Sequence, residues 1–148
     1  MVRQPRTNLN NYRMNFLSSP EILFFIRDVK LLRQVLQMTA TLCRPVDVMD
    51  AETALKTLSN RPNVRAMVML SVPEATAAVE LLAQAKHMRP DVLQVLLARP
   101  EDLAMAIHGL HAGAIDRLVH VPFAPRELMN ILRGAVQTPP ARRANGAA

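Results

Sequence analysis

The sequence predicts an α/β protein with a five-stranded parallel sheet, doubly wound, with helices on both faces. Five short apolar segments alternate with five amphipathic segments along residues 20–137. The apolar segments are nearly continuous, which is typical of strands buried on both faces. The amphipathic segments are long enough to be crossover helices, and right-handed crossovers place helices on both sides of a sheet. We therefore expect one domain over this range.

The first two strand–helix units follow from hydrophobic patterning. The segment EILFFI (21–26) is rich in aromatic and branched residues, which favours a strand. A helix is predicted over 28–42, where apolar residues recur at helical spacing and Asp28 is in position to cap the first turn. A second strand is predicted over 44–49 and a second helix over 50–60.

The third unit begins with the apolar run RAMVML (65–70). Ser71 and Glu74 then have the spacing of a capping box, with Pro73 in the first turn of a helix that reaches Met88. This strand–turn–helix junction is where α/β proteins usually place reactive groups. Here it offers only a serine and a glutamate.

The last two units are marked by proline and glycine. A fourth strand is predicted over 92–98, followed by a helix with Pro100 near its start and Gly113 as its C-cap. A fifth strand is predicted over 115–121, and the last helix has Pro125 in its first turn.

Charge and cysteine content narrow the classes of function. The chain has 148 residues and a formal net charge of +6, but residues 20–137 carry 13 Lys and Arg against 12 Asp and Glu. The excess charge lies in residues 1–19 and 138–148, which we expect to be flexible tails, the first basic and the second rich in Pro, Ala and Arg. Cys43 is the only cysteine, so no intramolecular disulfide forms, as in a reducing cytoplasm. No apolar run reaches the roughly 18 residues of a membrane span, and residues 1–19 lack the apolar stretch of a secretory signal.

Three segments resemble the receiver domain of bacterial response regulators. They are ILFFIRDVKLLRQVL (22–36), RPDVLQVLLA (89–98) and AGAIDRLVHVPFAPREL (112–128), which are similar to the first strand and helix, the fourth strand, and the fifth strand with the start of its helix. The resemblance covers residues 21–137. It implies a flavodoxin-like sheet with strand order 2-1-3-4-5.

The resemblance also implies a phosphorylation site whose residues are missing here. Receivers hold Mg²⁺ with an acidic pair after strand one, phosphorylate an Asp after strand three, and use a Ser or Thr after strand four, a Lys after strand five and an aromatic switch in strand five. The acidic pair falls on Ile26 and Arg27, or on Arg27 and Asp28 with a shift of one residue. The acceptor falls on Leu70, or on Met69 if Pro73 sets the register. The other positions are Ala98, Val121 and, for the switch, Leu118. We therefore expect a degenerate pseudo-receiver with no catalytic residues, no bound metal, no cofactor and no enzymatic activity.

Arg27 and two histidines have competing interpretations. Arg27 could bind an anion in the altered pocket, although an outward position or a pair with Asp28 or Glu74 is favoured. His108 and His111 have the spacing of two ligands of one metal, but solvated helix histidines are favoured because a zinc site usually needs a third protein ligand. Glycine-rich phosphate loops are excluded, since the four glycines are too scattered.

A surface built by the fourth helix, fifth strand and fifth helix is the candidate interaction face, because receivers commonly dock partners there. Its members are His108, His111, Asp116, Arg117, Arg126 and Arg133. In a homodimer with a two-fold axis, Asp116 could pair with Arg117 or Arg126 of the other copy. An ordinary charged surface is an equally good interpretation.

The function predicted from sequence is a non-phosphorylatable, receiver-like module for protein–protein interaction in bacterial signalling. Its partner would be a signalling protein or a second copy of the chain. The alternative is a binder of nucleic acid or a cyclic dinucleotide that acts through the Arg-bearing tails. A small enzyme on a flavodoxin-like fold is the least favoured hypothesis.

Overall fold

The computed structural model describes residues 19–71 and 75–137. The two predicted tails therefore lie outside the described residues, apart from Ser19, and so do Pro73 and Glu74 of the predicted capping box.

Five strands alternate with five α-helices, as the patterning predicts. The strands are β1 (Glu21–Phe25), β2 (Arg44–Asp47), β3 (Val64–Leu70), β4 (Leu93–Ala98) and β5 (Arg117–His120). The helices are α1 (Val29–Met38), α2 (Ala51–Asn60), α3 (Ala75–Met88), α4 (Leu103–His111) and α5 (Pro125–Gln137), with a 3₁₀ turn at Pro100–Asp102 before α4. None of these helices is long and apolar enough to cross a membrane.

The strands form one parallel sheet in the order β2-β1-β3-β4-β5, which confirms the predicted fold. The register pairs Phe25 with Met69 and Leu70 with Leu97. Ala98 pairs with His120. The carboxyl ends of four strands therefore meet at one edge of the sheet, which we call the carboxyl edge.

Each face of the sheet has its own apolar core. On one face, Ile22, Phe24 and Val68 pack with residues of α1 and α5. On the other face, Leu23 and Met67 pack with residues of α2, α3 and α4. Neighbouring strand residues point to opposite faces, so the unbroken apolar runs follow from burial on both sides.

The first helix is shorter than predicted. It ends at Met38, and Thr39 is its C-cap. The Thr39 hydroxyl donates to the Val35 carbonyl oxygen at 2.8 Å, and the next residues form turns. At the opposite end of α1, the Asp28 carboxylate accepts from the Leu31 backbone N–H at 3.0 Å, which confirms the predicted cap.

Candidate functional site

The positions that the resemblance assigned to phosphorylation lie together at the carboxyl edge and are mostly apolar. Ile26, Leu70 and Ala98 are buried, and Val121 is half-buried. The Val121 backbone N–H donates to the Ala98 carbonyl oxygen at 2.9 Å, which joins the ends of β4 and β5. These four side chains therefore close the edge with hydrocarbon where polar ligands would be needed.

Arg27 is exposed and points toward the β2 side of this edge. Its Nε donates to the Met49 carbonyl oxygen at 3.1 Å, and its guanidinium carbon lies 5.6 Å from the centre of the Phe25 ring. The predicted pair with Asp28 is not among the ion pairs of the described residues, while Glu74 lies outside them. The Arg27 side chain is therefore held by the backbone of Met49 and lies over the Phe25 ring.

Asp50, next to Met49, has a carboxyl pKa below its ordinary value. The main cause is the hydrogen bond from the Thr53 backbone N–H at 2.8 Å, followed by the bond from the Thr53 hydroxyl. The positive charge of Arg27 adds a smaller lowering of the same pKa. The ionised carboxylate of Asp50 thus caps α2 and faces Arg27.

Arg99 is the charged residue that crosses the carboxyl edge, and sequence reasoning missed it. Its Nη2 lies 3.8 Å from Oδ2 of Asp28, and its Nη1 donates to the Ser71 carbonyl oxygen at 3.5 Å. The guanidinium therefore bridges the segments that follow β1 and β3. Both charged side chains are more than a third exposed, so this pair positions the arginine more than it stabilises the fold.

Ser71 and Asp102 form a buried hydrogen bond beside Arg99. Oγ of Ser71 donates to Oδ2 of Asp102 at 2.7 Å, and the two residues are 1% and 9% exposed. The Ser71 hydroxyl is thus engaged with the segment that leads into α4. The predicted N-cap role of Ser71 depends on residues that the structure does not describe.

A signal for these contacts was present in the sequence. Ser71 directly follows β3 and Arg99 directly follows β4, and residues after neighbouring parallel strands meet at one edge. Sequence reasoning considered only the position that the resemblance assigned to the hydroxyl, Ala98, and overlooked the residue after it.

The two histidines of α4, His108 and His111, are exposed. Within residues 19–71 and 75–137, no three His, Cys, Asp or Glu side chains lie close enough together to hold a metal ion. His108 and His111 therefore have no third ligand of these types among the described side chains.

In the candidate interaction face, Asp116 has partners inside the molecule. Its two carboxylate oxygens accept from Nζ of Lys86 at 2.9 and 2.7 Å, and one of them also accepts from the Gln94 backbone N–H at 2.8 Å. The predicted pair between Asp116 and an arginine of another copy would have to break this arrangement. Asp116, which directly precedes β5, instead links α3 to the start of β4.

The other members of the face are exposed. They are His108, His111, Arg117, Arg126 and Arg133. Ile107 and Leu110 of α4 also have 42% and 37% of their surface exposed. The switch position Leu118 is half-buried in β5 and packs on the core beneath α2, α3 and α4.

Comparison with known proteins identifies the fold through solved structures. Neither a protein-family model nor a curated protein matches the chain. The signal receiver domain of an HD domain-containing protein from Pseudomonas fluorescens Pf-5 is 26% identical, with a TM-score of 0.71 over 80% of this chain and 95% of that one. A response regulator receiver domain from Methanospirillum hungatei JF-1 is 17% identical, with a TM-score of 0.65 over 80% of this chain and 94% of that one.

A structure named adenylate cyclase, from Rhodopirellula baltica, is also similar. It is 14% identical, with a TM-score of 0.72 over 80% of this chain and 88% of that one. At such identity the likeness concerns the fold alone. The chain thus has the fold of response regulator receiver domains. This fold suggests a module of signal transduction.

Proposed function

We propose that this chain is a degenerate receiver that is not phosphorylated and acts in signalling by binding another protein. The observation that carries the proposal is the composition of the carboxyl edge. Leu70 occupies the position of the phosphoacceptor, and it offers neither a nucleophile nor a metal ligand. The other assigned positions, Ile26, Ala98 and Val121, are hydrocarbon, and the Arg99 guanidinium lies beside Asp28 at this edge.

The donors near this edge do not fit the Mg²⁺ that a phosphorylated receiver would use. Mg²⁺ is usually held by one or two carboxylates together with water and phosphate oxygens. Asp28 already accepts the Leu31 N–H and faces Arg99. Asp102 accepts the Ser71 hydroxyl in a buried position. A divalent cation would have to compete with Arg99 for Asp28 or break the Ser71–Asp102 hydrogen bond, and Leu70 and Ala98 would supply no further ligand.

The second part of the proposal is that the chain binds its partner through the candidate interaction face. Ile107 and Leu110 supply exposed apolar surface on the same helix as the exposed His108 and His111, and protein interfaces commonly combine an apolar centre with polar residues at the rim. Asp116 is held by Lys86, so the proposed contact does not include an ion pair between Asp116 and an arginine of a second copy. The partner is a signalling protein or a second copy of the chain.

Treatment of the folded protein with acetyl phosphate and Mg²⁺ tests the first part. We expect no phosphoryl adduct in the intact mass, because no carboxylate stands at the acceptor position. A receiver domain that has its acceptor Asp, treated in parallel, controls for the activity of the reagent. A phosphoryl adduct that forms on the folded chain, and does not form on a chain unfolded before treatment, would overturn the proposal.

The face is tested with Ile107→Glu and Leu110→Glu, and Met49→Glu serves as a matched control. Met49 is 50% exposed and lies beyond β2, far along the sheet from α4. We expect the α4 variants to weaken self-association and capture of partner proteins from the native host, while Met49→Glu leaves both unchanged. Equal behaviour of all three variants would count against this face.

A further inference from the structure

The sheet has a second edge, at the start of its strands, which we call the amino edge. The helices run back toward this edge and end there, because each one leads from the end of one parallel strand to the start of the next. The exposed Lys and Arg side chains of the amino edge, within the described residues, are Arg44 of β2, Arg61 after α2, Arg117 of β5 and Arg133 near the end of α5. The amino edge therefore presents cations to solvent from one side of the sheet to the other.

The acids of the amino edge are not exposed. In the part of the chain that the structure describes, they are bonded to cations at 2.7–2.9 Å, in the pairs Glu21–Arg61, Asp91–Arg89 and Asp116–Lys86. The first of these carboxylates is buried and the other two are half-buried. A ligand that approaches this edge therefore meets arginine side chains before it meets a carboxylate.

Arg117 and Arg133 are not neutralised by any of the described acids. Nη1 of Arg117 donates to the Asp116 carbonyl oxygen at 2.9 Å, and Nη1 of Arg133 donates to Oδ1 of Asn130 at 3.3 Å. Both acceptors are uncharged, and neither arginine has a carboxylate within 4.0 Å among residues 19–71 and 75–137. A guanidinium group has five N–H donors, so both side chains can donate to a ligand without breaking these bonds.

Both ends of the chain join the described part at the amino edge. The Pro20 carbonyl oxygen accepts from the Arg44 backbone N–H at 2.9 Å, and the Val136 carbonyl oxygen accepts from Nη1 of Arg65 at 2.9 Å. These two arginines lie at the starts of β2 and β3, on either side of β1. The terminal segments beyond the described part carry five arginines and no acid. Their charge is therefore attached to the edge that already exposes cations.

The spread of these cations favours a ligand with a repeated negative charge. Arg44 and Arg117 begin the two outer strands, β2 and β5, which are four strand spacings apart. At about 4.8 Å per spacing, the exposed cations extend over roughly 19 Å. Each strand of a nucleic acid duplex carries one phosphate about every 3.4 Å along the axis, so about five phosphates match this length. Arginine suits them because its planar donors can bind two phosphate oxygens at once.

The aromatic side chains of the described part lie away from this edge, which favours a double helix over single strands. Phe24 and Phe25 are buried, and Phe123 follows β5 at the opposite edge. Proteins that bind single strands usually stack the bases on aromatic side chains. Contacts to the backbone of a duplex need only cations and hydrogen-bond donors.

A second copy of the chain fits these cations less well. At its carboxyl edge, Asp28 and Asp50 accept from backbone N–H groups of the helices that they cap, and Asp102 accepts from Ser71. At its amino edge, a second copy would bring the same cations. The phosphates of a duplex have neither limitation, because each of them carries a negative charge.

We propose that the amino edge, together with the arginines of both terminal segments, binds double-helical nucleic acid through its phosphates without reading the base sequence. This inference goes beyond the proposed function, which concerns a protein partner, and does not depend on it.

The probe is a fluorescent DNA duplex of about 20 base pairs, and its binding to the full chain is measured by fluorescence anisotropy. We expect the affinity to fall about 100-fold or more between roughly 50 and 200 mM salt, because each neutralised phosphate releases counterions. A second duplex of the same length and unrelated sequence should bind within about threefold of the first, since phosphate contacts carry no sequence information.

Two double variants of equal charge locate the binding surface. Arg44→Glu/Arg117→Glu changes the amino edge, and Lys30→Glu/Arg33→Glu makes the same change in net charge at exposed positions of α1. At about 0.15 M salt, where charges are screened beyond about 8 Å, the first variant should weaken duplex binding about tenfold or more and the second less than about threefold. Arg117→Glu/Arg133→Glu should also weaken it about tenfold, which provides a second test if the first variant does not fold.

No duplex binding at low salt, or an equal loss of affinity in the edge and α1 variants, would overturn the inference. Substitution of the five terminal arginines by Gln should lower both the affinity and its salt dependence. Complete loss of binding in that variant, with no effect of the edge variants, would assign binding to the terminal segments alone and overturn the role of the amino edge. Equally tight binding of phosphatidylserine vesicles or of a poly-Glu peptide would assign the cations to a membrane or to an acidic protein, and would also overturn it.

Discussion

Gln94 lies in β4 with a fully buried side chain, and the structure gives neither its amide nitrogen nor its amide oxygen a hydrogen-bond partner within the described part of the chain. A buried polar group without a partner lowers stability by about 1–3 kcal/mol. Replacement by Leu keeps a similar volume and removes both polar atoms. We expect Gln94→Leu to raise the free energy of unfolding by about 1–2 kcal/mol, measured by urea denaturation.

The matched control is Gln84→Leu, an exposed glutamine of α3. Its change in the free energy of unfolding should be small, within about 0.5 kcal/mol. If Gln94→Leu destabilised the protein, the amide would have to contribute a contact that the structure does not contain.

Single residues also show which features of the site could be predicted from the sequence and which could not. The loss of the acceptor carboxylate could be expected from the sequence, because no acid occurs within residues 65–73. The partners of Asp116 could not be predicted from the sequence. Lys86 and Gln94 lie 30 and 22 residues away from it and come near only when α3 and β4 pack.

At the scale of elements, the cap of α1 at Asp28 and the end of α4 at Gly113 were predictable because capping is local, whereas the end of α1 at Met38 was not. Asp28 and Asp50 accept from backbone N–H groups three residues ahead, at Leu31 and Thr53. Gly113 follows α4 with φ of +84°. Its N–H donates to the Leu110 carbonyl oxygen at 3.2 Å, while the next N–H donates to Gly109 at 3.0 Å. These paired bonds close the helix as a Schellman motif.

Gly113 and Gly134 form a matched pair for a test of backbone conformation. A Cβ would have open space at both positions, but only Gly113 has a positive φ among the described glycines. We expect Gly113→Ala to destabilise the protein by about 1–2 kcal/mol, because L residues avoid this region. Gly134→Ala, in the interior of α5, should stabilise it by about 0.4–1 kcal/mol.

Thermal and urea unfolding of both variants measure these changes. Destabilisation by both substitutions to the same extent would show that loss of space, rather than φ, controls the outcome. Gly109 is not used for this test because a Cβ there would lie 2.8 Å from Cδ1 of Ile115.

Across the whole molecule, the two edges of the sheet have different roles. At the amino edge, where the strands begin, Arg89 joins its own segment to residues 58–64, which are distant in sequence. Its Nη1 donates to the carbonyl oxygens of Leu58 and Arg61 at 2.8 and 3.1 Å, and its Nε and Nη2 donate to Asp91 at 3.0 and 2.9 Å. Its side chain is 17% exposed. This edge is held together by a buried cation and its acceptors.

Arg89→Ala should therefore lower the free energy of unfolding by roughly 2–4 kcal/mol, since it removes the guanidinium donors to Asp91 and to several carbonyl oxygens. Arg89→Lys should recover only part of this loss, because an ammonium group cannot reproduce the planar set of donors. Arg126→Ala, at an exposed position, is the control and should change stability by less than about 0.5 kcal/mol. A full recovery by lysine would show that charge alone accounts for the stabilisation.

The sequence by itself determined the class of fold, the helix caps at Asp28 and Gly113, and the absence of an acid within residues 65–73. These features depend on residues a few positions apart, so periodicity and capping residues report them directly. The tertiary structure decided that Arg99 crosses the carboxyl edge, that Ser71 bonds to Asp102, and that Asp116 is held by Lys86. Such features depend on the strand register and on how tightly helices pack, which bring together residues distant in the chain.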